Sequence, residues 1–512
     1  TGRSPLCRGW YGSRSWDDFL RFESDIRLPR RRRRDKGAVQ PFNTGMLNEL
    51  SNLLGERGLL VEPDDMAPYE ADLIGVHQGQ ALAVARPQST DEVAAVVRLA
   101  AEHAVVLVPQ GGNTGFCGGG VPDGTGDQII LSLDRMSQIR EIDPVSSTMT
   151  VEAGCPLVRV REEAEAVSLD FPVFHGGISS QIGGNLATNA GGNNVLRHGM
   201  TRNLVLGLEV VLADGQIWNG LRKLPKSNVG YDLKQLFIGS EGTLGVITAA
   251  VLRLTPLARA RATTIAAIPD PAAAVELLGL VRREIGELAT AFELIPRSGL
   301  DLHLQRTEAA EPFMEQYGWQ VLIELESAST LFDLDAALET VLATAMETGL
   351  VTDAVLARSE AQRSGLWSYR EGIALAQVET PGNLKNDTAV PISVIPDFIE
   401  QATAVVGSIA PGAVPIPFGH IGDGNIHFNI NPPPGSDPVA FVASWPDLTS
   451  AIEEVAVGLG GSFSAEHGVG TEKLAAAERY LSPIERELMA KLKTAIDPAD
   501  ILNRGKVIPA PR

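Results

Sequence analysis

The residues best suited to chemistry lie in two short segments near the C-terminus. His420 and His427 flank a Gly-Asp-Gly-Asn turn at residues 422–425, and Glu466 and His467 follow farther along the chain. A turn of this kind between two strand-like patterns predicts a hairpin that brings the two histidines together. Two histidines and one carboxylate around an open position are a common catalytic site for a divalent metal, which would polarise substrate oxygens. The alternative is a set of unrelated surface histidines near turns.

Glycine indicates a second kind of site. The strand-like residues 105–108 lead into a glycine-rich loop at 111–120, and residues 176–192 form a second glycine-rich segment. A glycine loop after a strand exposes backbone N–H groups, which can bind an anion such as a pyrophosphate. The loop has neither the lysine of a P-loop nor the spacing of a Rossmann fingerprint. A set of tight turns is therefore the alternative interpretation.

The elements that must position these residues follow an α+β pattern. Residues 46–255 alternate short strands with helices and are predicted to form a first domain. A second domain is predicted at 256–470, where the order strand–helix–strand–strand–helix–strand is that of a ferredoxin-like unit. Residues 471–512 are predicted to form a helical segment that returns to the first domain. In the second domain and beyond, strands are predicted at 263–268, 290–295, 320–326, 352–356, 389–394, 413–418 and 425–430, and helices at 271–284, 331–347, 358–376 and 483–496.

Composition argues against several classes of protein. The chain has 512 residues and a net charge of −20, and since nucleic-acid binders usually carry a basic surface, no nucleic-acid partner is expected. Its 3 cysteines form no CxxC pair, so neither a disulfide framework nor a cysteine metal site is indicated, and a cytoplasmic location is expected. No apolar run approaches the roughly 18 residues of a membrane span, so no transmembrane segment is predicted, although a peripheral membrane position stays open.

Residues 1–45 differ from the rest of the chain. Basic side chains outnumber acidic ones there, and residues 30–34 are all arginine. They are predicted to be an extension that is disordered or not native to the protein. A basic anchoring arm is the alternative.

Several motifs of the first domain resemble, in order and spacing, the FAD domain of the vanillyl-alcohol oxidase and para-cresol methylhydroxylase flavoproteins. They lie at residues 84–87, 109–115, 152–154, 176–192 and 239–247. The resemblance implies a two-lobed FAD-binding domain of the para-cresol methylhydroxylase type. The residues expected to contact FAD are Pro109, Gly111, Gly112, Asn113, Thr114, Gly115, Gly118, Gly119, Gly183, Gly184, Ala187, Thr188, Asn189, Glu241, Gly242 and Ile247.

Some members of this superfamily attach the flavin covalently through His or Cys. The phosphate loop here has Asn113 and Thr114 in place of a histidine. Cys117 and Cys155 stay open as linkers, with simple buried thiols as the alternative. His198 is expected either to approach the flavin or to be an ordinary turn histidine.

The second domain resembles the C-terminal domain of FAD-linked D-lactate and D-2-hydroxyglutarate dehydrogenases. The resemblance lies in residues 366–371, 384–391, 419–429 and 464–470, and it implies a ferredoxin-like substrate (cap) domain. It gives the following roles: His420, His427 and Glu466 as ligands of a divalent metal, expected to be Zn²⁺; His467 as the base that takes the hydroxyl proton; Arg370, Lys385 and Asn429 as substrate ligands; and Asn503 as part of a terminal segment that returns to the flavin.

Two departures from this family pattern bear on the substrate. The usual Lys-x-Asp-Val-Ser-x-Pro is replaced by Lys-Asn-Asp-Thr-Ala-Val-Pro at residues 385–391, which is a mild change. Ala374 stands where dicarboxylate-specific members carry a threonine. The second departure weakens the assignment to hydroxyglutarate without affecting the type of reaction.

The expected function is FAD-dependent oxidation of a small D-2-hydroxy acid, with D-2-hydroxyglutarate first and D-lactate or D-malate next. The expected electron acceptor is an electron-transfer flavoprotein or a quinone, and a homodimer is expected. A glycolate-oxidising subunit of a multi-subunit complex is the alternative among enzymes. A flavin- or metal-carrying protein without turnover and a scaffold protein are the alternatives from other classes.

Overall fold

The computed structural model describes residues 41–508, except for residues 74, 176 and 178. Most of the predicted N-terminal extension, residues 1–40, therefore lies outside the described residues. The first helix begins at Pro41, before the predicted border at Met46.

The described residues form two compact units. We call residues 41–191, 200–256 and 466–508 the glycine-loop unit, and residues 192–199 and 257–465 the seven-stranded unit. The domain borders given from the sequence stay a prediction.

The strands and helices have the following bounds. The strands are β1 (Leu59–Leu60), β2 (Ala81–Ala85), β3 (Leu107–Gln110), β4 (Gln128–Ser132), β5 (Ile139–Asp143), β6 (Thr148–Glu152), β7 (Leu169–Asp170), β8 (Val205–Val211), β9 (Ile217–Gly220), β10 (Val246–Arg253), β11 (Thr255–Pro256), β12 (Ala260–Ile268), β13 (Ala289–Pro296), β14 (Trp319–Ser327), β15 (Asp353–Leu356), β16 (Asp387–Ala389), β17 (Val414–His420) and β18 (Asn425–Asn431). The helices are α1 (Pro41–Leu54), α2 (Pro63–Met66), α3 (Thr90–Glu102), α4 (Leu157–Glu165), α5 (Ile182–Thr188), α6 (Val195–His198), α7 (Lys234–Phe237), α8 (Pro271–Glu284), α9 (Arg297–Leu304), α10 (Leu334–Glu347), α11 (Glu360–Val378), α12 (Ile395–Ile409), α13 (Pro438–Val442), α14 (Trp445–Gly458), α15 (Leu474–Tyr480) and α16 (Pro483–Ile496).

The glycine-loop unit contains a mixed sheet with strand order β1-β2-β4-β3 and an antiparallel sheet with order β5-β6-β10-β8-β9. β2, β4 and β3 pair in parallel and are almost wholly buried, which explains their nearly continuous apolar sequence. Helix α3 begins where the Ser89 side chain accepts a hydrogen bond from the backbone N–H of Glu92. β3 ends at Gln110, so the sheet delivers the chain directly into the glycine-rich loop.

The seven-stranded unit is built on one sheet with the order β15-β12-β14-β13-β17-β18-β16. The first four strands, with α8 after β12 and α10 after β14, form the ferredoxin-like unit that the sequence predicted. Side chains alternate across the sheet: Ala266 and Ile268 belong to one core with α8, α10 and α12, whereas Ile265 and Ala267 belong to another core with α9 and α11. This alternation is the period of two that a strand requires.

The predicted strand at 389–394 is wrong. β16 ends at Ala389, and residues Ile392–Val394 form a 3₁₀ turn that leads into α12. Val390, Ile392 and Val394 gave a β-branched pattern, but Pro391 has no N–H to donate to a strand ladder and favours this turn.

One described segment, Ile392–Ile409, is long and apolar enough to cross a membrane by length and composition alone. A core helix of a globular domain passes the same test. Phe398, Ala402 and Val406 of this segment are buried in the core that α12 shares with the sheet.

Candidate cofactor and substrate sites

The two glycine-rich segments of the glycine-loop unit lie against each other. A Cβ on Gly112 would stand 2.7 Å from the carbonyl oxygen of Ser179, and a Cβ on Gly111 would stand 3.3 Å from the backbone nitrogen of Gly184. In contrast, no atom lies within 4 Å of the Cβ positions of Gly115 and Gly184. The segments thus pack through their backbones and leave open space beside them, which is the form of a cradle for a bound group.

Polar atoms that need a partner surround this cradle. Within the described part of the chain, Ser180 Oγ, Gln181 Oε1 and Asn185 Nδ2 are buried and form no hydrogen bond with the protein. Buried polar atoms are nearly always hydrogen-bonded. A ligand rich in hydroxyl, phosphate and carbonyl groups would satisfy them, and FAD has all three.

His175 orients one of these groups and was not predicted from the sequence. Its Nδ1 accepts the N–H of Gly177 at 3.1 Å, and its Nε2 lies 3.2 Å from Asn185 Oδ1. Burial lowers the pKa of His175, so the ring is neutral with the proton on Nε2. The Asn185 amide then presents Nδ2 as a donor away from the histidine.

Glu241 holds the segment that follows the predicted catalytic base. Its carboxylate is buried and accepts the backbone N–H groups of Val469 at 2.7 Å and Gly470 at 3.0 Å. A Cβ on Gly468 would stand 2.6 Å from Glu241 Oε1, and one on Gly470 would stand 1.9 Å from the carbonyl oxygen of Cys117. The observed contacts of the Glu241 side chain therefore fix residues 468–470, and its predicted contact with FAD stays a prediction.

The C-terminal segment also fastens the glycine-rich loop. Asn503 Nδ2 donates to the carbonyl oxygens of Gly119 at 3.0 Å and Glu241 at 2.6 Å. Lys506 Nζ donates to the carbonyl oxygens of Gly119 and Val121. Residues around Asn503 are thus joined to the glycine-rich loop by specific hydrogen bonds, and their predicted return to the flavin stays a prediction.

The other predicted FAD contacts lie in the same unit with backbone or packing roles. Asn113 and Asn189 both have positive φ, and Asn113 donates to the carbonyl oxygen of Ala71 at 2.6 Å. Gly242 packs against the ring of Pro109. Ile247 is buried in a hydrophobic core, so its role at the cofactor stays a prediction.

The two cysteines considered as flavin linkers are both buried. Burial raises the pKa of Cys155 to about 11. Because the thiolate is the nucleophile, this shift disfavours Cys155 as a linker. Whether Cys117 is a flavin linker or a simple buried thiol stays a prediction. The same holds for His198 of α6, as a residue near the flavin or an ordinary turn histidine.

His467 and Glu466 lie at the start of the last segment of the glycine-loop unit. The ring of His467 lies 4.9 Å from the ring of Phe116, centroid to centroid, so the glycine-rich loop supports the predicted base. A Cβ on Gly191 would stand 3.0 Å from Glu466 Oε2, so the second glycine-rich segment approaches this carboxylate closely.

In the seven-stranded unit, β17 and β18 form the predicted hairpin. It brings the rings of His420 and His427 to 5.4 Å from each other, nearly edge to face. Asp387 lies opposite His427 in the register of β16 with β18, with its Oδ1 3.7 Å from His427 Nδ1. Each histidine thus has a carboxylate partner at Nδ1, which is how metal-binding histidines are commonly oriented.

A single buried carboxylate, Glu293 of β13, joins two of the predicted site residues. Its Oε1 lies 2.7 Å from His420 Nδ1, and its Oε2 accepts from Arg370 Nε at 2.7 Å. Burial alone would raise the pKa of Glu293 and lower that of His420, because it disfavours both charged forms. The attraction of Glu293 for His420 and Arg370 outweighs this effect of burial. The pKa of Glu293 is lowered to about 2 and that of His420 is raised to about 9.

Arg370 is buried on α11, and its guanidinium lies 4.7 Å from the ring centre of Phe418. The alternative that it is a surface arginine paired with Glu371 is wrong, because its ion-pair partner is Glu293. Among the described residues, no acceptor contacts its two terminal nitrogens. A planar pair of donors of this kind can bind a carboxylate with two hydrogen bonds.

Lys385 and Asn429, two of the predicted substrate ligands, differ in their observed contacts. Lys385 has no hydrogen-bond or ion-pair partner in the described part of the chain, and burial lowers its pKa. Asn429 accepts the N–H of Asn386 at 3.0 Å and donates to Gln377 Oε1 at 2.7 Å. The observed contacts of Asn429 thus hold the backbone beside Lys385, while its direct contact with substrate stays a prediction.

Glu293, Asp387, Gln377 and His175 escaped sequence reasoning. The sequence carried a signal for Glu293, an acidic residue in the otherwise apolar strand sequence Ala-Phe-Glu-Leu-Ile. Acidic residues are almost never fully buried unless they are paired. Such a glutamate therefore indicates buried partners, although it does not identify them.

The comparisons with known proteins agree with this geometry. Residues 81–220 match the family described as "FAD binding domain", and residues 257–507 match "FAD linked oxidases, C-terminal domain". A protein of Oryza sativa subsp. japonica named "Probable D-2-hydroxyglutarate dehydrogenase, mitochondrial" is 37% identical over 482 residues, or 92% of this chain and 83% of the relative. The D-2-hydroxyglutarate dehydrogenase of Xanthomonas citri pv. viticola is 38% identical over 452 residues, or 88% of this chain and 94% of the relative.

A solved structure of p-cresol methylhydroxylase with substrate bound has a TM-score of 0.71 and 18% identity, covering 93% of this chain and 98% of that protein. This likeness shows a common fold. Together with the family matches, it confirms the predicted fold class and FAD as the cofactor.

Proposed function

The chain belongs to the family of FAD-linked D-2-hydroxyglutarate dehydrogenases, and on this premise we propose that it oxidises a D-2-hydroxy acid to the corresponding 2-oxo acid. D-2-hydroxyglutarate is the first candidate substrate, because the relatives that match most of the chain are named for it. D-lactate and D-malate are the next candidates.

The observation that carries the proposal is the arrangement around Glu293. One buried carboxylate holds both an arginine with free terminal nitrogens and a histidine whose Nε2 is left for a metal. A 2-hydroxy acid has a carboxylate and a hydroxyl on adjacent carbons. Arg370 suits the carboxylate and a metal at His420 suits the hydroxyl, so the pair fits this class of substrate.

FAD, when bound, supplies the two-electron acceptor for the hydrogen at C2, and a divalent metal, when bound, supplies a Lewis acid. The cradle between the two glycine-rich segments and its unpartnered polar atoms would hold FAD. His420, His427 and Glu466 would hold the metal. Nitrogen and oxygen donors of this kind suit Zn²⁺, which is the metal we propose.

The chain's own residues bind the substrate and move its proton. Arg370 binds the C1 carboxylate through its two terminal nitrogens. Lys385, which has no charged partner among the described residues, binds a second carboxylate when the substrate has one, and that carboxylate favours the charged form of Lys385 that burial disfavours. His467 accepts the proton of the C2 hydroxyl, a role for which a neutral imidazole is suited.

Ala374 is the observation that favours a shorter substrate as the second candidate. It lies one helical turn after Arg370 on α11 and is exposed. A threonine there would add a hydroxyl donor, so its absence removes one polar contact for a distal carboxylate. D-lactate, which has no distal carboxylate, loses nothing by this change.

The setting of the enzyme is also a proposal. Electrons pass to an electron-transfer flavoprotein or a quinone, the enzyme is a homodimer, and it acts in the cytoplasm or at the membrane periphery. The high net negative charge supports a soluble partner over a nucleic acid or an anionic surface.

Anaerobic mixing tests the proposal. The purified yellow protein would be mixed with D- and L-2-hydroxyglutarate, D- and L-lactate, D- and L-malate and glycolate, and the oxidised-flavin absorption would be followed. We expect D-2-hydroxyglutarate to bleach the flavin fastest and its L-enantiomer to leave it oxidised. If dithionite bleaches the flavin but no acid does, the proposed reaction is wrong.

A further inference from the structure

Glu293 stands out because its two oxygens have different partners. Glu293 is 1% exposed. Its Oε1 contacts His420, a predicted metal ligand, and its Oε2 contacts Arg370, a predicted substrate ligand. His420 comes from β17 and Arg370 from α11, so the carboxylate joins a strand and a helix through the site residues themselves.

Each contact leaves a defined group available. When His420 Nδ1 donates to Glu293, the lone pair of the ring lies on Nε2 and can bind a metal. When Arg370 donates through Nε, its two terminal nitrogens remain, and they lie in the plane that suits a carboxylate. The orientation of both groups is therefore set by one side chain, and a displacement of that side chain would misplace both.

We infer that Glu293 is a positioning residue that couples metal binding to substrate binding, and this inference rests on the proposed function. His420 would hold the metal through Nε2, and the metal would draw charge from the ring, strengthen the hydrogen bond from Nδ1 to Oε1 and so keep Glu293 in place. The same carboxylate then holds Arg370 ready for the substrate carboxylate. Loss of Glu293 weakens the metal site and the carboxylate site together.

The same helix provides a matched control. Arg363, two helical turns before Arg370, is buried and forms two hydrogen bonds with Glu324 of the neighbouring strand β14, at 2.6 and 2.8 Å. Trp367 and Thr263 also donate to Glu324. Glu324 is also buried and also paired with an arginine, but among the described residues its partners include no histidine and no residue predicted to bind substrate. Replacing it tests what a purely structural pair would do.

The experiment compares Glu293→Gln with Glu324→Gln in the FAD-loaded protein. Three quantities would be measured: the Zn²⁺ affinity by competition with a chromophoric chelator, the KM and kcat for D-2-hydroxyglutarate, and the flavin content. For Glu293→Gln we expect about 10–100-fold weaker Zn²⁺ binding, a KM raised about tenfold or more, and unchanged flavin content. For Glu324→Gln we expect Zn²⁺ affinity and KM within about twofold of the parent, with a lower unfolding midpoint.

A second variant keeps the inference testable if Glu293→Gln does not fold. Arg370→Gln leaves the carboxylate in place and removes only the partner at Oε2. Arg370 is not a proposed metal ligand. Coupling through Glu293 nevertheless predicts that the Zn²⁺ affinity changes threefold or more, which is roughly 0.7 kcal/mol. Parental Zn²⁺ affinity in both variants would overturn the inference. Because Zn²⁺ affinity is measured without turnover, this result stays readable even if no 2-hydroxy acid reduces the flavin.

Discussion

The cofactor cradle and the substrate site are built in opposite ways. In the glycine-loop unit, backbone approaches that only glycine allows bring loops together, as at Gly112 beside Ser179 and Gly470 beside Cys117. In the seven-stranded unit, charged side chains from separate strands and a helix meet on buried carboxylates, as Arg370 and His420 do on Glu293. A site built from closely packed backbone is disrupted when an atom is added at one of its glycines. A site built from buried charged side chains is disrupted when one of the charges is removed.

This difference predicts how each region fails. Added methyl groups should destroy the cradle and leave the chemistry of the substrate site intact. Neutralised charges should disable the substrate site and leave the flavin bound. The following changes break or sharpen that comparison.

The largest effect is expected for His467→Ala. Removing the proposed base should lower the rate constant of flavin reduction by about 10²–10⁴-fold, while flavin content stays that of the parent. Stopped-flow reduction by D-2-hydroxyglutarate measures the rate, and the protein-to-flavin absorbance ratio measures occupancy. His103→Ala, which removes a histidine on α3's C-terminal end paired with Glu49, is the control and should leave both unchanged. Near-parental reduction in His467→Ala would remove it from the mechanism.

Gly470→Ala should cost about 2–5 kcal/mol of unfolding free energy. The added Cβ would stand 1.9 Å from the carbonyl oxygen of Cys117, and φ is +51°. Gly505→Ala is the matched control, because φ is +76° but no atom lies within 4 Å; it should cost only about 1–2 kcal/mol of backbone strain. Urea unfolding measures both, and equal losses would mean that the close approach contributes nothing.

Gly184→Ala should weaken FAD binding by about tenfold or more, ~1.4 kcal/mol. Its Cβ meets no protein atom within 4 Å, so the flavin-free fold should tolerate it, and the methyl group would fill space assigned to the cofactor. Fluorescence titration of the flavin-depleted protein with FAD measures the affinity. Gly279→Ala on α8, also in open space, should leave it unchanged. Parental affinity in Gly184→Ala would place the cofactor elsewhere.

The smallest effect is expected for Glu371→Gln. Burial raises the pKa of Glu371 to about 8 from its ordinary 4.5. Between pH 4.5 and about 8, Glu371 therefore keeps its proton in the folded state and loses it in the unfolded state. The stability of the protein falls as the pH rises through this range. The glutamine variant should gain about 1 kcal/mol at pH 8 and little at pH 4.5. Thermal unfolding at both pH values measures this, and an equal gain at both would contradict the assigned cause.

The comparison also explains what the sequence could reveal. The cradle was predictable because its requirement is local: glycine at defined positions after a strand. The hairpin of His420 and His427 was predictable because a turn signal lies between them. Glu293 was not assigned a role, because its partner His420 lies 127 residues away and only the sheet order brings them together. The observed partners of Asn429, Asn386 and Gln377, were not predicted, because side-chain partners of this kind are set by packing, and its contact with substrate stays a prediction.

Chelation of the FAD-loaded protein tests the central claim most directly, since one sample then reports on both sites. After removal of metal by a strong chelator, the flavin content and the rate of anaerobic reduction by D-2-hydroxyglutarate would be measured, and then measured again after Zn²⁺ is restored. The two-site account predicts full flavin content throughout, loss of reduction after chelation and recovery with Zn²⁺. Reduction that is indifferent to chelation would contradict the metal-assisted substrate site and leave only the flavin-binding half of the account.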